Sequence, residues 1–172
     1  FYMERGMWES NMMITFNFFP PEEVLPEYTT MTAEKEWDIQ DTTKKTSVNV
    51  QLQRKAENTT AWENVGSPVA LTSQNGWKYT FTDLLKYVDG SENTIAYAFR
   101  VVELDGTKVL NNGDKTANGL IVKYGDVYGS GATGYGQLIT NTQLAPGVTQ
   151  QIKKATTADG KQMVFYLATG DV

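Results

Sequence analysis

Apolar and polar residues alternate along most of the chain after residue 28, and a two-residue period is typical of β-strands with one buried face. In residues 30–37 one face carries Met31, Ala33, Lys35 and Trp37. The same pattern, or a short apolar run, marks further strand candidates at 47–53, 60–65, 68–72, 77–81, 94–103, 120–124 and 137–142. The sequence contains no amphipathic helical repeat of useful length.

Turn-forming pairs separate several of these strand candidates. They are Asn75-Gly76, Asp89-Gly90, Asp105-Gly106 and Asn112-Gly113. Many short strands at this spacing predict an all-β fold, either an antiparallel sandwich or a barrel. The Gly-rich residues 124–136 are expected to form a flexible loop, and residues 149–167 another hairpin with Asp159-Gly160 at its turn.

The ends of the chain differ from its middle and suggest three parts. Residues 1–19 are rich in Met and aromatic residues and include a strand candidate at 12–18, and Pro20-Pro21 with an acidic stretch then reads as a linker. We therefore expect the tail of a preceding domain at 1–27, the main domain at 28–145, and an additional hairpin or the start of a following unit at 146–172. The chain begins with Phe1 and shows neither a signal peptide nor a membrane span, so we interpret it as a fragment of a longer protein.

Composition narrows the range of functions. The 172 residues suit one domain, and 40% hydrophobic residues argue against a disordered chain. A net charge of −5 argues against a nucleic-acid partner, because no surplus of cations exists to neutralise phosphates. The absence of Cys and His excludes disulfides, thiolate chemistry and His-based triads. Acidic residues are scattered without ligand spacing, so we expect no metal and no cofactor.

Three polar residues interrupt the apolar faces of predicted strands. Lys35 lies between Ala33 and Trp37, Glu103 follows an apolar face in residues 99–101, and Asn141 follows Ile139. A lone Lys in such a position usually extends to the surface at a strand end. A lone Glu or Asn usually ends a strand. The pattern alone therefore leaves two alternatives open: the three residues lie separately at strand ends, or their side chains contact one another inside the fold.

A meeting of these residues would have specific chemistry. Burial lowers the pKa of a Lys amine, to about 5–6 in documented cases, and makes the amine a nucleophile. A buried Glu keeps its proton and can donate it to the side-chain carbonyl of Asn, which then becomes electrophilic. Attack by Lys expels ammonia and leaves an amide between the two side chains, with Glu as the proton shuttle.

Six segments, in order along the chain, resemble the B-type repeat domain (Cna-B) of collagen adhesins and pilins from Gram-positive surface proteins. They are 35–38 (Lys-Glu-Trp-Asp), 47–52 (Ser-Val-Asn-Val-Gln-Leu), 66–71 (Gly-Ser-Pro-Val-Ala-Leu), 75–84 (Asn-Gly-Trp-Lys-Tyr-Thr-Phe-Thr-Asp-Leu), 99–103 (Phe-Arg-Val-Val-Glu) and 139–142 (Ile-Thr-Asn-Thr). The resemblance implies an antiparallel β-sandwich of Ig-like or prealbumin-like type. It also implies a spontaneous isopeptide bond between Lys35 and Asn141, promoted by Glu103.

The beginning of the chain carries a shorter resemblance. Phe1-Tyr2-Met3-Glu4-Arg5-Gly6, then Ser10-Asn11 and an alternating strand, is similar to the end of a fibro-slime (PA14-like) surface domain. Together the two resemblances imply an extracellular protein that is attached to the cell wall through parts outside this fragment. Its partners would be neighbouring domains of the same protein, with no membrane contact by the fragment itself.

These resemblances leave two functional hypotheses. The first is a structural stalk or spacer module of an adhesin or pilin, which is not an enzyme because its only chemistry is one self-directed turnover. The second is an adhesin domain that binds a host matrix protein or a glycan through surface loops, with the Gly-rich segment and the aromatic residues Trp8, Trp62 and Tyr135 as candidates.

Overall fold

The computed structural model describes residues 24–144 and the backbone of residues 148–156 and 162–168. The predicted strand at 12–18, the Pro20-Pro21 pair and the Asp159-Gly160 turn lie outside these residues. The described strands are β1 (Tyr28–Asp38), β2 (Val48–Ala56), β3 (Glu63–Leu71), β4 (Lys78–Leu85), β5 (Tyr97–Asp105), β6 (Lys108–Val109), β7 (Ile121–Tyr124), β8 (Tyr128–Ser130), β9 (Gly134–Thr142), β10 (Val148–Thr156) and β11 (Gln162–Ala168). A single 3-10 turn at Thr42–Lys44 is the helical element of this part of the chain.

Most of the strands form two sheets. The first has the order β4-β1-β9-β7, with β8 also paired to β9, and the second has the order β3-β2-β5-β6. Strands β10 and β11 pair with each other as an antiparallel hairpin. The all-β fold predicted from the alternation is confirmed, and of its two alternatives the described strands form the sandwich, the Ig-like type that the family resemblance implied.

The core lies between the inward faces of the two sheets. Its buried members are Met31, Ala33, Val50, Leu52, Leu71, Leu84, Phe99, Val101, Leu110, Val122 and Ile139. Strands β1, β2 and β5 each contribute two of these side chains, two positions apart, because successive residues of a strand point to opposite faces. The burial of apolar surface that holds the sheets together therefore follows directly from the sequence pattern.

Strands β1 and β9 are hydrogen-bonded neighbours and run parallel, unlike the other strand pairs that the structure describes. In their register Lys35 is aligned with Ile139 and Trp37 with Asn141. The first and the last strands of the sandwich thus lie side by side at its centre. A parallel pair of this kind needs a long connection, which the rest of the sandwich supplies.

Strand β3 differs from the expectation. The sequence predicts two short strands, at 60–65 and 68–72, but one continuous strand spans residues 63–71. Its register to β2 shifts between Val50 and Leu52, and Gly66 within it has a φ of 63°. A left-handed glycine allows a bulge, so the strand continues through the Gly66-Ser67 pair instead of ending there.

The Gly-rich segment also differs from the prediction of a flexible loop, which is wrong. Residues 128–130 form β8 and pair with the start of β9. A Cβ atom on Gly136 would lie 2.3 Å from the ring of Tyr128, and one on Gly129 would lie 2.2 Å from the carbonyl oxygen of Gly134. These glycines therefore permit close approach within a hairpin, which the composition of the segment does not distinguish from flexibility.

The face of β2 opposite the core is polar, as the pattern predicts, yet two of its side chains are buried. Gln51 is 4% exposed, and its Nε2 donates to the carbonyl oxygens of Leu52 and Val65. Gln53 is 7% exposed and accepts a hydrogen bond from Nε of Arg100. Hydrogen bonds to neighbouring groups offset the free-energy cost of burying these polar side chains.

Candidate functional site

The three polar residues that interrupt the apolar strand faces meet inside the sandwich. Nζ of Lys35 donates to Oε2 of Glu103 at 2.9 Å, and Nδ2 of Asn141 donates to Oε1 of the same carboxylate at 2.9 Å. Lys35, Glu103 and Asn141 are 5%, 2% and 1% exposed. Lys35 does not extend to solvent, and neither Glu103 nor Asn141 is merely a polar residue at an exposed strand end.

The alternation of each strand places its polar side chain in this site. Lys35 follows Met31 and Ala33 on the inward face of β1, and Asn141 follows Ile139 on the inward face of the adjacent β9. Glu103 follows Val101 on β5, in the opposite sheet. The carboxylate therefore reaches across the interior to two side chains that its own sheet does not carry.

The surroundings of Lys35 weaken the charged form of its amine. Burial lowers the pKa of Lys35 from 10.5 to about 8, and the charge and hydrogen bond of Glu103 offset part of this decrease. The ring of Trp37 lies 4.9 Å from Nζ, and Trp77 packs edge-on against Trp37 at 5.1 Å. The decrease is smaller than for a Lys without a partner, because Glu103 favours the protonated amine.

The lowered pKa of Lys35 predicts how stability changes with pH in an Asn141→Ala variant, in which the amine stays free. The unfolded chain holds the Lys35 proton between about pH 8 and 10.5, where the folded chain releases it, so the free energy of unfolding should rise with pH over this range. Urea unfolding at several pH values measures the slope. The matched control is Asn141→Ala with Lys35→Met, which lacks the titrating amine. Identical pH slopes for the two variants would contradict the prediction.

The amide of Asn141 has one unsatisfied group. Its Oδ1 is buried and has no hydrogen-bond partner among the residues that the structure describes, although Nδ2 is bonded to Glu103. A buried polar atom without a partner is rare, because leaving it unpaired costs free energy. A half-turn of this amide would bring Oδ1, in place of Nδ2, towards the carboxyl group.

One side of the site is open to a small pocket. A cavity of about 270 Å³ is lined by Glu103 and Asn141 together with residues of two loops, among them Ser47 and Asn118. The pocket is large enough for several water molecules. The carboxylate and the amide themselves stay buried, at 2% and 1% exposure of their residues, so the pocket ends beside the site.

Other candidates from the sequence lie elsewhere. Trp62 is covered by Arg100, whose guanidinium lies 4.2 Å from the ring, and Tyr135 packs against Phe99 at 5.8 Å. Trp8 is outside the described residues. Within residues 24–144, no group of three acidic side chains is placed to hold a metal ion.

Two residues that were not predicted from the sequence contact the strand of Glu103. The hydroxyl of Tyr124 accepts a hydrogen bond from the backbone N–H of Glu103, and Oε1 of Gln137 accepts one from the N–H of Val101. Gln137 lies on the same inward face as Ile139 and Asn141, two positions before the first and four before the second. A polar residue at an inward position of this alternation was the signal in the sequence that could have identified it. Tyr124 reads as an ordinary core aromatic, and nothing in its sequence position distinguishes it.

The described part of the chain combines a two-sheet sandwich, adjacent first and last strands, and a buried Lys–Glu–Asn cluster. The chain belongs to the family of the Cna protein B-type domain, whose model matches residues 31–123, more than half of its length. The match includes Lys35 and Glu103 and ends before Asn141. As a member of this family, the chain is a structural domain of a cell-surface protein and not an enzyme.

Two solved structures are similar to the chain. Both are crystal structures of the pilus adhesin SpaC from Lactobacillus rhamnosus GG, one of them in an open conformation, with TM-scores of 0.44 and 0.39. Each is 17% identical, and the alignment covers 78% of this chain and 14% of the adhesin, so the chain spans only a small part of that protein's length. No curated protein sequence matches the chain significantly. In the described part of the chain, no helix is long and apolar enough to span a bilayer.

Proposed function

We propose that this domain is a stalk module of a cell-wall-attached adhesin or pilin of a Gram-positive bacterium, closed by an isopeptide bond between Lys35 and Asn141. The observation that carries this proposal is the shared carboxylate. Glu103 holds the amine of Lys35 and the amide of Asn141 at 2.9 Å each, in a site that solvent barely reaches. A reaction between two side chains gains most when both are already held in place, because little orientational freedom remains to be lost.

The reaction begins with a proton transfer inside this cluster. Lys35 gives a proton to Glu103, which becomes a neutral carboxylic acid, and the amine gains a free electron pair. The lowered pKa of Lys35 reduces the free energy that this transfer requires. After a half-turn of the Asn141 amide, the acid proton of Glu103 is donated to Oδ1, which polarises the carbonyl group.

Bond formation then exchanges one amide for another. Nζ of Lys35 attacks Cγ of Asn141, and the bond from Cγ to Nδ2 breaks. Glu103 carries a proton from Nζ to the departing nitrogen, so that ammonia leaves, and Glu103 keeps the proton that it first received from Lys35. The pocket beside Glu103 and Asn141 supplies a route by which ammonia can leave the interior. Formation of the amide also removes the charge of the buried Lys35 amine, and a buried charge is costly because it has lost its hydration.

The position of the bond explains its mechanical value. Lys35 and Asn141 lie on the two adjacent parallel strands, 106 positions apart in sequence (141 − 35). A force that enters the sandwich at residues 28 and 142 is carried by these two strands. Hydrogen bonds between the strands rupture under sufficient force, whereas a covalent link between the strands holds the segment 35–141 closed.

Single-molecule stretching of the full chain between its ends tests this role. We expect the wild-type domain to show no unfolding step from residues 35–141. An Asn141→Ala variant should release a step of roughly 360 Å, at about 3.4 Å for each of 106 residues. A wild-type step of the same length as in the variant would contradict the stalk proposal.

The setting of the module follows from this role. We propose that residues 28–145 form the stalk unit, that residues 1–27 and 146–172 connect it to neighbouring domains of the same protein, and that attachment to the cell wall lies outside the fragment. Binding of a host matrix protein or glycan is the weaker proposal. In residues 24–144, the Gly-rich segment that suggested a ligand-binding loop is used in the β8–β9 hairpin.

A further inference from the structure

The strand that carries Glu103 has an edge that its own sheet covers only in part. Strand β6 pairs with β5 at Leu104 and Asp105 and not with the residues before them. On this edge the N–H groups of Val101 and Glu103 point away from β2. Both are satisfied by side chains from the opposite sheet, since Val101 donates to Gln137 at 2.7 Å and Glu103 donates to Tyr124 at 2.8 Å.

The Tyr124 hydroxyl occupies a particular place between backbone groups. Leu110 donates its N–H to the carbonyl oxygen of Glu103 at 2.9 Å, which is one of the two bonds of an antiparallel pair. The second bond, from Glu103 back to Leu110, is not made directly. Instead the hydroxyl accepts from the N–H of Glu103 and donates to the carbonyl oxygen of Leu110 at 2.7 Å. The hydroxyl thus replaces a direct bond and links three segments.

The same tyrosine belongs to the strand pair that carries Asn141. In the register of β7 and β9, Tyr124 is aligned with Ile139, and Val122 with Asn141. A hydrogen bond to the backbone of Glu103 therefore connects the strand beside Asn141 with the residue whose carboxylate must reach Asn141. The ring of Tyr124 packs on the core, so the hydroxyl and the ring have separable roles.

We infer that Tyr124 is a positioning residue for isopeptide formation, which sets the distance between Glu103 and Asn141 by fixing the backbone of Glu103 through its hydroxyl. This inference rests on the proposed function of the Lys35–Asn141 pair. Burial raises the pKa of Tyr124 to about 12, so the hydroxyl keeps the proton that it donates to Leu110. Small errors of position slow reactions between held groups by large factors, which gives this contact its importance.

The rate of ammonia loss in the full chain tests the inference. Chain purified unfolded from inclusion bodies is diluted into native buffer, and intact mass is followed with time, while circular dichroism establishes that folding is complete. We expect Tyr124→Phe to fold and to form the bond more slowly than wild type, by about tenfold to a hundredfold. Gln137→Met, which removes the hydrogen-bond partner of the neighbouring N–H of Val101, should slow the reaction by a smaller factor. This variant tests the inference if Tyr124→Phe does not fold.

The matched control is Gln51→Met, which removes buried side-chain bonds to backbone on the other face of the second sheet. It should lower stability in urea without slowing the reaction of the folded domain. The inference would be overturned if Tyr124→Phe and Gln137→Met formed the bond as fast as wild type. It would also be overturned if Gln51→Met slowed bond formation as much as these two variants do. A wild-type chain that never loses ammonia would instead refute the proposed isopeptide bond, so the two failures are distinguishable.

Discussion

Glu103→Gln is expected to keep its full calculated mass, whereas the wild-type chain should be lighter than calculated by one ammonia. Gln is close to Glu in size and keeps one oxygen that can accept a hydrogen bond. It cannot accept bonds from both Lys35 and Asn141 through two oxygens, and it cannot carry a proton between them. Loss of a positioned proton carrier slows a reaction by about 10²- to 10⁴-fold, so little product should form during expression. Intact-mass spectrometry under denaturing conditions measures the difference.

The matched control for this experiment is Glu36→Gln, because Glu36 lies next to Lys35 but on the exposed face of β1. This variant should lose one ammonia as completely as wild type. Lys35→Ala and Asn141→Ala should both keep their full masses, since each lacks one of the two groups that are joined. A Glu103→Gln chain that loses ammonia as fast as wild type would show that Glu103 is not the proton shuttle.

Asn141→Ala is expected to melt on the order of 15 °C below the wild-type domain. In the chain-entropy model, a cross-link that closes about 100 residues contributes about 4.7 kcal/mol by restricting the unfolded chain, and the segment here is 106 positions long. For a domain of this size each kcal/mol corresponds to a few degrees in melting temperature. Asn141→Ala removes the cross-link but keeps the ion pair between Lys35 and Glu103. Differential scanning calorimetry measures the change.

Lys35→Ala provides the comparison for this second experiment. It also lacks the cross-link, and in addition it leaves the carboxylate of Glu103 buried without its cation, which is costly. We expect the variant to melt below Asn141→Ala and to be cut faster by trypsin than wild type, because local opening is no longer restricted. Equal melting temperatures for wild type and Asn141→Ala would mean that no cross-link restrains the unfolded chain.

The inward faces of the sandwich were predictable because alternation is a local property. Met31, Ala33 and Lys35 are buried at every second position of β1, as their spacing indicates. The same rule places Glu103 and Asn141 on inward faces. No comparable local signal marks Gly66 or the glycines of the β8–β9 hairpin, since a glycine that permits a bulge or a close approach is identical in sequence to one that ends a strand.

The sequence by itself determined the fold class, the family and the residue types available for chemistry. The reaction of Lys35, Glu103 and Asn141 needs neither His nor Cys, which agrees with the composition, and the bond itself stays a prediction. Only the tertiary structure decided that a single carboxylate contacts both Lys35 and Asn141, and that Tyr124 holds its backbone. The physical reason is that side-chain alternation specifies a face, while distances across the core depend on strand order and register, which are set by contacts between residues far apart in the chain.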